Sequence, residues 1–253
     1  ATSSYVIEIF EQGYLLCQYY GAKIPDVNFK GYKFREYFAS FSPSNASVED
    51  HSFSADVSPL EYSGFGVGDF RKTAVAIRNA DGNNCTDFRY VSHKIYKGKP
   101  ELKAMPATYA NTDDECETLE IYVRDKVTDA AAVLMYTVFE NYGAMTKAVR
   151  IINESDKPMD IEKVYSASVS FNTMDFDIVH LYGRHNAERN MARSPLEHGH
   201  TSLSSTRGSS SHFHNPFVAL ASPETTEDFG EVYGFNFVYS GSFLDDGESC
   251  PYY

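Results

Sequence analysis

The sequence contains no tryptophan, which removes the strongest aromatic stacking platform a protein can offer. Cysteine is sparse: Cys17, Cys85, Cys116 and Cys250 are widely spaced, with no CxxC pair. That spacing argues against a zinc knuckle or a redox dithiol. Positive charge is also short, with 22 Lys and Arg against 35 Asp and Glu and a formal net charge of −13. Nucleic acid and anionic membranes are bound through Lys and Arg, so neither is an expected partner. No long apolar run, signal peptide or transit peptide is present, and the expectation is a cytoplasmic chain with reduced thiols. The start at Ala1-Thr2-Ser3-Ser4 is read as a trimmed N-terminus, and the Asn-x-Ser/Thr matches at Asn45, Asn84 and Asn153 as chance.

Nor is there a capped, helix-period window of ordinary length; only Ala187–Arg193 is expected to make a helical turn or two. What is plentiful is Tyr, 19 residues, and Phe, 18, which tilt the chain towards β structure. At 253 residues the chain has room for one large all-β domain or two small ones. The continuous meander favours a single domain over 1–253.

Ser4–Phe10 and Tyr14–Tyr20 flank Gly13 as a hairpin. Thr73–Asn79, Thr86–Tyr96, Glu117–Arg124, Val133–Glu140, Thr146–Ile152 and Ile161–Phe171 follow as strands, separated by Asn-, Asp- and Gly-rich turns. In Glu117–Arg124 the alternation sends Leu119, Ile121 and Val123 inward. Phe217–Ala221 and Glu231–Ser240 read as an antiparallel pair. Tyr233, Phe235, Phe237 and Tyr239 share one face of it, a face that must be covered. Two stretches break the pattern, Gly21–Arg71 and Gly183–Asn215, and long ordered loops of this kind usually carry function or an interface. The expected fold is a large antiparallel β-sandwich, a supersandwich, with two long loops.

Four constellations invite chemistry. The pairs His198/His200 and His212/His214 put imidazoles on one face of an extended segment, as zinc or nickel would want. No Cys or carboxylate joins them at ligand spacing, so hydrogen-bonded or solvated loop histidines are the simpler reading, and no metal is expected. Asp175 and Asp177 share a strand face, but two acids on one strand cannot flank a scissile bond from both sides. Asp69 and Arg71 read as a local structural ion pair. Ser211 beside His212 lacks the acid of a triad. No nucleophile elbow, phosphate loop or dinucleotide fingerprint occurs, so no catalytic residue and no cofactor are expected.

Several segments together carry a resemblance. They include Gly13-Tyr14-Leu15, Phe41-Ser42-Pro43, Gly68-Asp69-Phe70-Arg71, Thr86-Asp87-Phe88-Arg89-Tyr90 and His93–Pro100. Further on come Pro106-Ala107-Thr108-Tyr109, Glu117–Ile121, Arg207-Gly208 with Ser210-Ser211-His212, Asn215-Pro216-Phe217 and Gly230–Phe237. In order and spacing the chain resembles the N-terminal β-sandwich domain of glycoside hydrolase family 36 α-galactosidases. The resemblance implies that full-length relatives remove terminal α-galactose from melibiose and raffinose, using two Asp residues in a (β/α)8 barrel after this domain. It also implies a homo-oligomer in which the sandwich packs on neighbouring subunits or the barrel and its loops help form the rim of a sugar pocket. Members of the tetrameric type place Asp and Trp where this sequence has Tyr37 and His185, the implied galactoside contacts. Asp246–Ser249 resembles a later family segment joined early. The alternative reading is a stand-alone carbohydrate-binding module, weakened by the missing Trp; a third is a purely structural oligomerisation domain.

Overall fold

The computed structural model describes residues 2–26, 28–29 and 53–249. Fourteen strands are found among them, every paired strand is antiparallel, and the helical content is confined to short 3-10 turns. The all-β sandwich expected from the aromatic, turn-punctuated sequence is what forms. The chain divides into two compact units, Ala1–Pro100 with Tyr109–Phe171, and Glu101–Thr108 with Asn172–Tyr253.

The first unit opens with β1 (Ser3–Ile9) and β2 (Leu15–Ala22), paired around a turn where Gly13 takes φ +82°. That is the left-handed region, cheap only for glycine. Strand β3 (Val75–Asn79) pairs with β8 (Met159–Val164). A four-stranded meander joins β4 (Arg89–Lys97), β5 (Glu117–Arg124), β6 (Ala130–Phe139) and β7 (Ala144–Asn153) in sequence order. The core draws Val75 and Ile77 from β3, Ile121 and Val123 from β5, and Ala130, Ala132, Leu134 and Tyr136 from β6. Residues from different sheets thus close on one apolar layer, as sandwich packing requires. The alternation read in β5 holds, with Leu119 packed on the same core.

The opposite face of β5 holds a surprise. Thr118 is fully buried, and its hydroxyl donates to the Gly98 carbonyl and meets Thr137 at 2.9 Å, so a polar pair sits under the sheet with its bonds satisfied. A larger polar cluster sits beside the core. Glu61 accepts from the hydroxyls of Tyr5 (2.6 Å) and Tyr136 (2.8 Å) and from Lys147 Nζ (2.7 Å). Lys147 also donates to the Tyr5 hydroxyl and the Ser168 carbonyl, while lying over the faces of both tyrosine rings.

In the second unit a four-stranded sheet runs in the order β10 (Ala187–Pro195), β9 (Asp177–Arg184), β12 (His214–Ala221), β13 (Val232–Asn236). Strand β11 (Gly199–Ser205) pairs in continuous register with β14 (Phe243–Ser249). The helical turns expected over Ala187–Arg193 do not form; those residues are strand β10. Much of the stretch read as irregular from Gly183 is likewise strand. Strand β10 exposes residues on both faces, so no apolar alternation marks it in sequence. Strand β13 is shorter than the run Glu231–Ser240. Tyr233, Phe235 and Phe237 are half-buried and Tyr239 is exposed, so the aromatic face is only partly covered. Ile161–Phe171 likewise yields strand only as far as Val164.

Candidate functional site

The structure brings the polar stretches of the second unit together at one end of its four-stranded sheet. His185 and Asn186 form the two-residue turn between β9 and β10, and Asn186 sits at φ +60°. The Asn186 amide donates to Glu188 Oε1 at 2.9 Å. Gly183 is required just before the turn. A Cβ there would stand 2.4 Å from the Ala187 carbonyl oxygen and 3.0 Å from that of His212. Its own amide donates to the Phe213 carbonyl, so the β9–β10 tip and the Arg207–Phe213 loop lean on one another.

That loop is held on its other side as well. Gly208, at φ +75°, donates its amide to Ser242 Oγ, and the Ser210 amide donates to the Ser240 carbonyl. Within this frame the Arg207 guanidinium lies 3.9 Å over the Phe213 ring, and His212 stacks on the same ring at 4.6 Å between centroids. Arg189 occupies a bulge in β10 at φ +55°, a left-handed conformation that costs a non-glycine residue about 1 kcal/mol. Arg184, His185, Arg189, Arg207 and His214 are all exposed. Among the described residues none of the three arginines is ion-paired. In a chain of net charge −13 this end is locally cationic.

The residues singled out in the sequence separate in space. Tyr37 lies outside the described residues. His185 is at the exposed turn tip. His198 engages the Ser249 carbonyl at 3.1 Å, and His200 lies 3.8 Å from both Asp246 and Glu248. Among the described residues no group of three His, Cys, Asp or Glu side chains is placed to hold a metal ion. Asp177 is bound to Arg193 at 2.6 Å, while Asp175 is exposed. The Ser211 hydroxyl accepts from the Phe213 amide. Asp69 and Arg71 form the local pair that the sequence suggests. The guanidinium also reaches the carbonyls of Ala55 and Ser58, which ties down the segment before β3. Arg207 on Phe213 was not foreseen as a pair; a cation six residues before an aromatic across a Gly-Ser turn is the only trace it leaves.

Comparison with known proteins settles the family. The model described as "Glycosyl hydrolase family 36 N-terminal domain" matches residues 13–253. The chain belongs to glycoside hydrolase family 36. Among curated relatives, α-galactosidase AgaA of Geobacillus stearothermophilus is 41% identical over 243 residues, covering 96% of this chain and 33% of AgaA. Mel36A of Lactobacillus acidophilus is 36% identical, covering 94% of this chain and 32% of Mel36A. The AgaA crystal structure superimposes with a TM-score of 0.95 at 39% identity, over 100% of this chain and 35% of AgaA. The galactosidase domain of AgaSK gives 0.94 at 36% identity, over 100% of this chain and 35% of that one. This family 36 chain therefore spans about a third of the length of these relatives and corresponds to their N-terminal domain. No helix among the described residues is long and apolar enough to cross a membrane.

Proposed function

We propose that this chain is the non-catalytic β-sandwich part of an α-galactosidase, serving subunit assembly and the rim of the galactoside pocket. The observation that carries the reading is the match of the whole fold to the N-terminal third of AgaA, a protein also solved, as a variant, in complex with raffinose. The chemistry of hydrolysis then belongs to the remaining two-thirds, and terminal α-galactosides such as melibiose and raffinose are the substrates of the assembled enzyme. His185, carried on an exposed turn, and Tyr37 are the positions we assign to the sugar. In the assembled enzyme His185→Ala should raise KM for melibiose more than it lowers kcat, since a rim contact contributes binding shared by ground and transition states. Free thiols at Cys17, Cys85 and Cys116 suit a reducing cytoplasmic setting.

Two measurements test this. Light scattering should give a mass above the single-chain 28.4 kDa, and a monomer at all concentrations would remove the assembly role. Calorimetric titration of the chain with galactose, melibiose and raffinose should give no saturable heat. Saturable binding would favour the stand-alone carbohydrate-binding module instead.

A further inference from the structure

We infer that the cationic end of the four-stranded sheet selects α-galactosides whose leaving portion carries an anion, a carboxylate or a phosphate. The inference rests on the pocket-rim reading above and names the substrate class which that rim favours.

A terminal α-galactoside is cleaved with its galactose deepest and the rest of the molecule towards the mouth, so a rim residue meets the part that leaves. The segment from Asn172 to Tyr253 holds four arginines and no lysine. One of them, Arg193, is spent within the fold, bound to Asp177 and to the carbonyls of Ser222, Pro223 and Thr225. The other three, Arg184, Arg189 and Arg207, stand around the His185 turn. All three are exposed, and among the described residues none of their guanidiniums carries an ion pair or a hydrogen bond. The carboxylate on the turn, Glu188, accepts the Asn186 amide.

Two of these cations are held in place by the fold. The Arg207 guanidinium lies 3.9 Å over the Phe213 ring, and the Phe213 carbonyl accepts the Gly183 amide, which sets Arg207 against the β9–β10 tip. Stacking fixes the guanidinium plane and leaves its N–H groups at the edge of that plane. Arg189 sits in the β10 bulge at φ +55°, a strained conformation of the kind that gathers at ligand sites. A planar fork of donors matches a carboxylate or a phosphate bidentately, and bonds to an anion are stronger than those to a neutral hydroxyl. A chain of net charge −13 repels an anionic solute, and unpaired cations around one turn reverse that sign locally.

The probes are melibionate, in which the glucose of melibiose is oxidised to a carboxylate, its uncharged counterpart melibiitol, and melibiose 1-phosphate. In steady-state kinetics of the assembled enzyme at low ionic strength, kcat/KM for melibionate should exceed that for melibiitol at least about fivefold, as charge-assisted bonds require. Roughly 1 M sodium chloride, with a Debye length of about 3 Å, should bring the two values together. Arg207→Gln should lower the melibionate value at least about threefold more than the melibiitol value. Arg189→Gly should act in the same direction, and glycine accepts φ +55° without strain, so this variant keeps the test open if the other fails to fold. Circular dichroism and sedimentation velocity check that each variant is folded and assembled as the natural enzyme is. A higher kcat/KM for melibiose 1-phosphate than for melibionate would support the inference with phosphorylated sugars as the source of the anion; the reverse order would support it with sugar acids.

His185→Ala separates the inference from the reading it rests on. If that change raises KM for both melibionate and melibiitol while their ratio ignores Arg207→Gln, Arg189→Gly and salt, the anion preference is overturned and the rim reading stands. If His185→Ala alters neither sugar and all the probes react alike in every variant, both are overturned.

Discussion

Glu61 and Lys147 form an ion pair of 2.7 Å inside the first unit, with 1% and 8% of their side chains exposed. Such a pair stabilises only when every remaining donor and acceptor is met, because desolvating two charges offsets most of their attraction. Here the condition is fulfilled: two tyrosine hydroxyls complete the carboxylate, and a hydroxyl and a carbonyl complete the ammonium. The cluster joins β1, the segment before β3, β6, β7 and the chain after β8. Removing one charge should therefore be severe. Glu61→Gln, which leaves Lys147 buried without its counter-charge, should cost about 3–5 kcal/mol in urea unfolding. Lys147→Met together with Glu61→Gln should cost less than the sum of the single changes.

The Cys17 thiol borders this cluster. Burial pushes its pKa up to about 11, with the Glu61 carboxylate adding to the rise. A raised pKa in the folded state means that folding favours the protonated thiol. Its contribution is complete below the unfolded value, near 9, and is lost as pH climbs towards 11. Stability measured by denaturant titration should fall over that interval, and Cys17→Ala should flatten the fall. Native alkylation near pH 8, followed by mass spectrometry, should modify the exposed Cys85 and spare Cys17 and Cys116.

Gly64 packs against the backbone of Thr86, where an added Cβ would lie 2.0 Å from the carbonyl oxygen. Backbone cannot yield as a flexible side chain can. Gly64→Ala should cost ~3 kcal/mol or more. Gly82, at φ +86° with open space around it, should lose only about 1 kcal/mol on the same change.

Arg193 is the peg that holds the β12–β13 connection. Arg193→Met removes charge-assisted bonds to Asp177 and three carbonyls. Amide exchange in 222–231 should quicken at least about tenfold, with exchange in the β1–β2 hairpin unchanged.

The fold was legible wherever one face of a strand is apolar and the other wet. Strand β5 shows it, with Ile121 and Val123 buried as their spacing requires. Strand β10 escaped because an edge strand dressed in Glu188, Arg189, Asn190 and Arg193 has no apolar face to announce its period. Strand β14 escaped for a similar reason: Asp245-Asp246-Gly247-Glu248 carries no apolar alternation, although it pairs residue for residue with β11. Glu61 and Lys147 lie far apart in sequence, and no local pattern could mark them as partners. At the candidate site the sequence marks Gly183–Asn215, dense in Arg and His, as a stretch expected to carry function or an interface. It could not show that the Gly183 amide reaches the Phe213 carbonyl and so joins the two ends of that stretch.

We propose that this family 36 domain has no hydrolytic chemistry of its own. The direct test is release of p-nitrophenol from p-nitrophenyl α-galactoside by the purified 253-residue chain. None above the uncatalysed rate is expected. Turnover that survives purification to homogeneity and follows the concentration of this chain would contradict it.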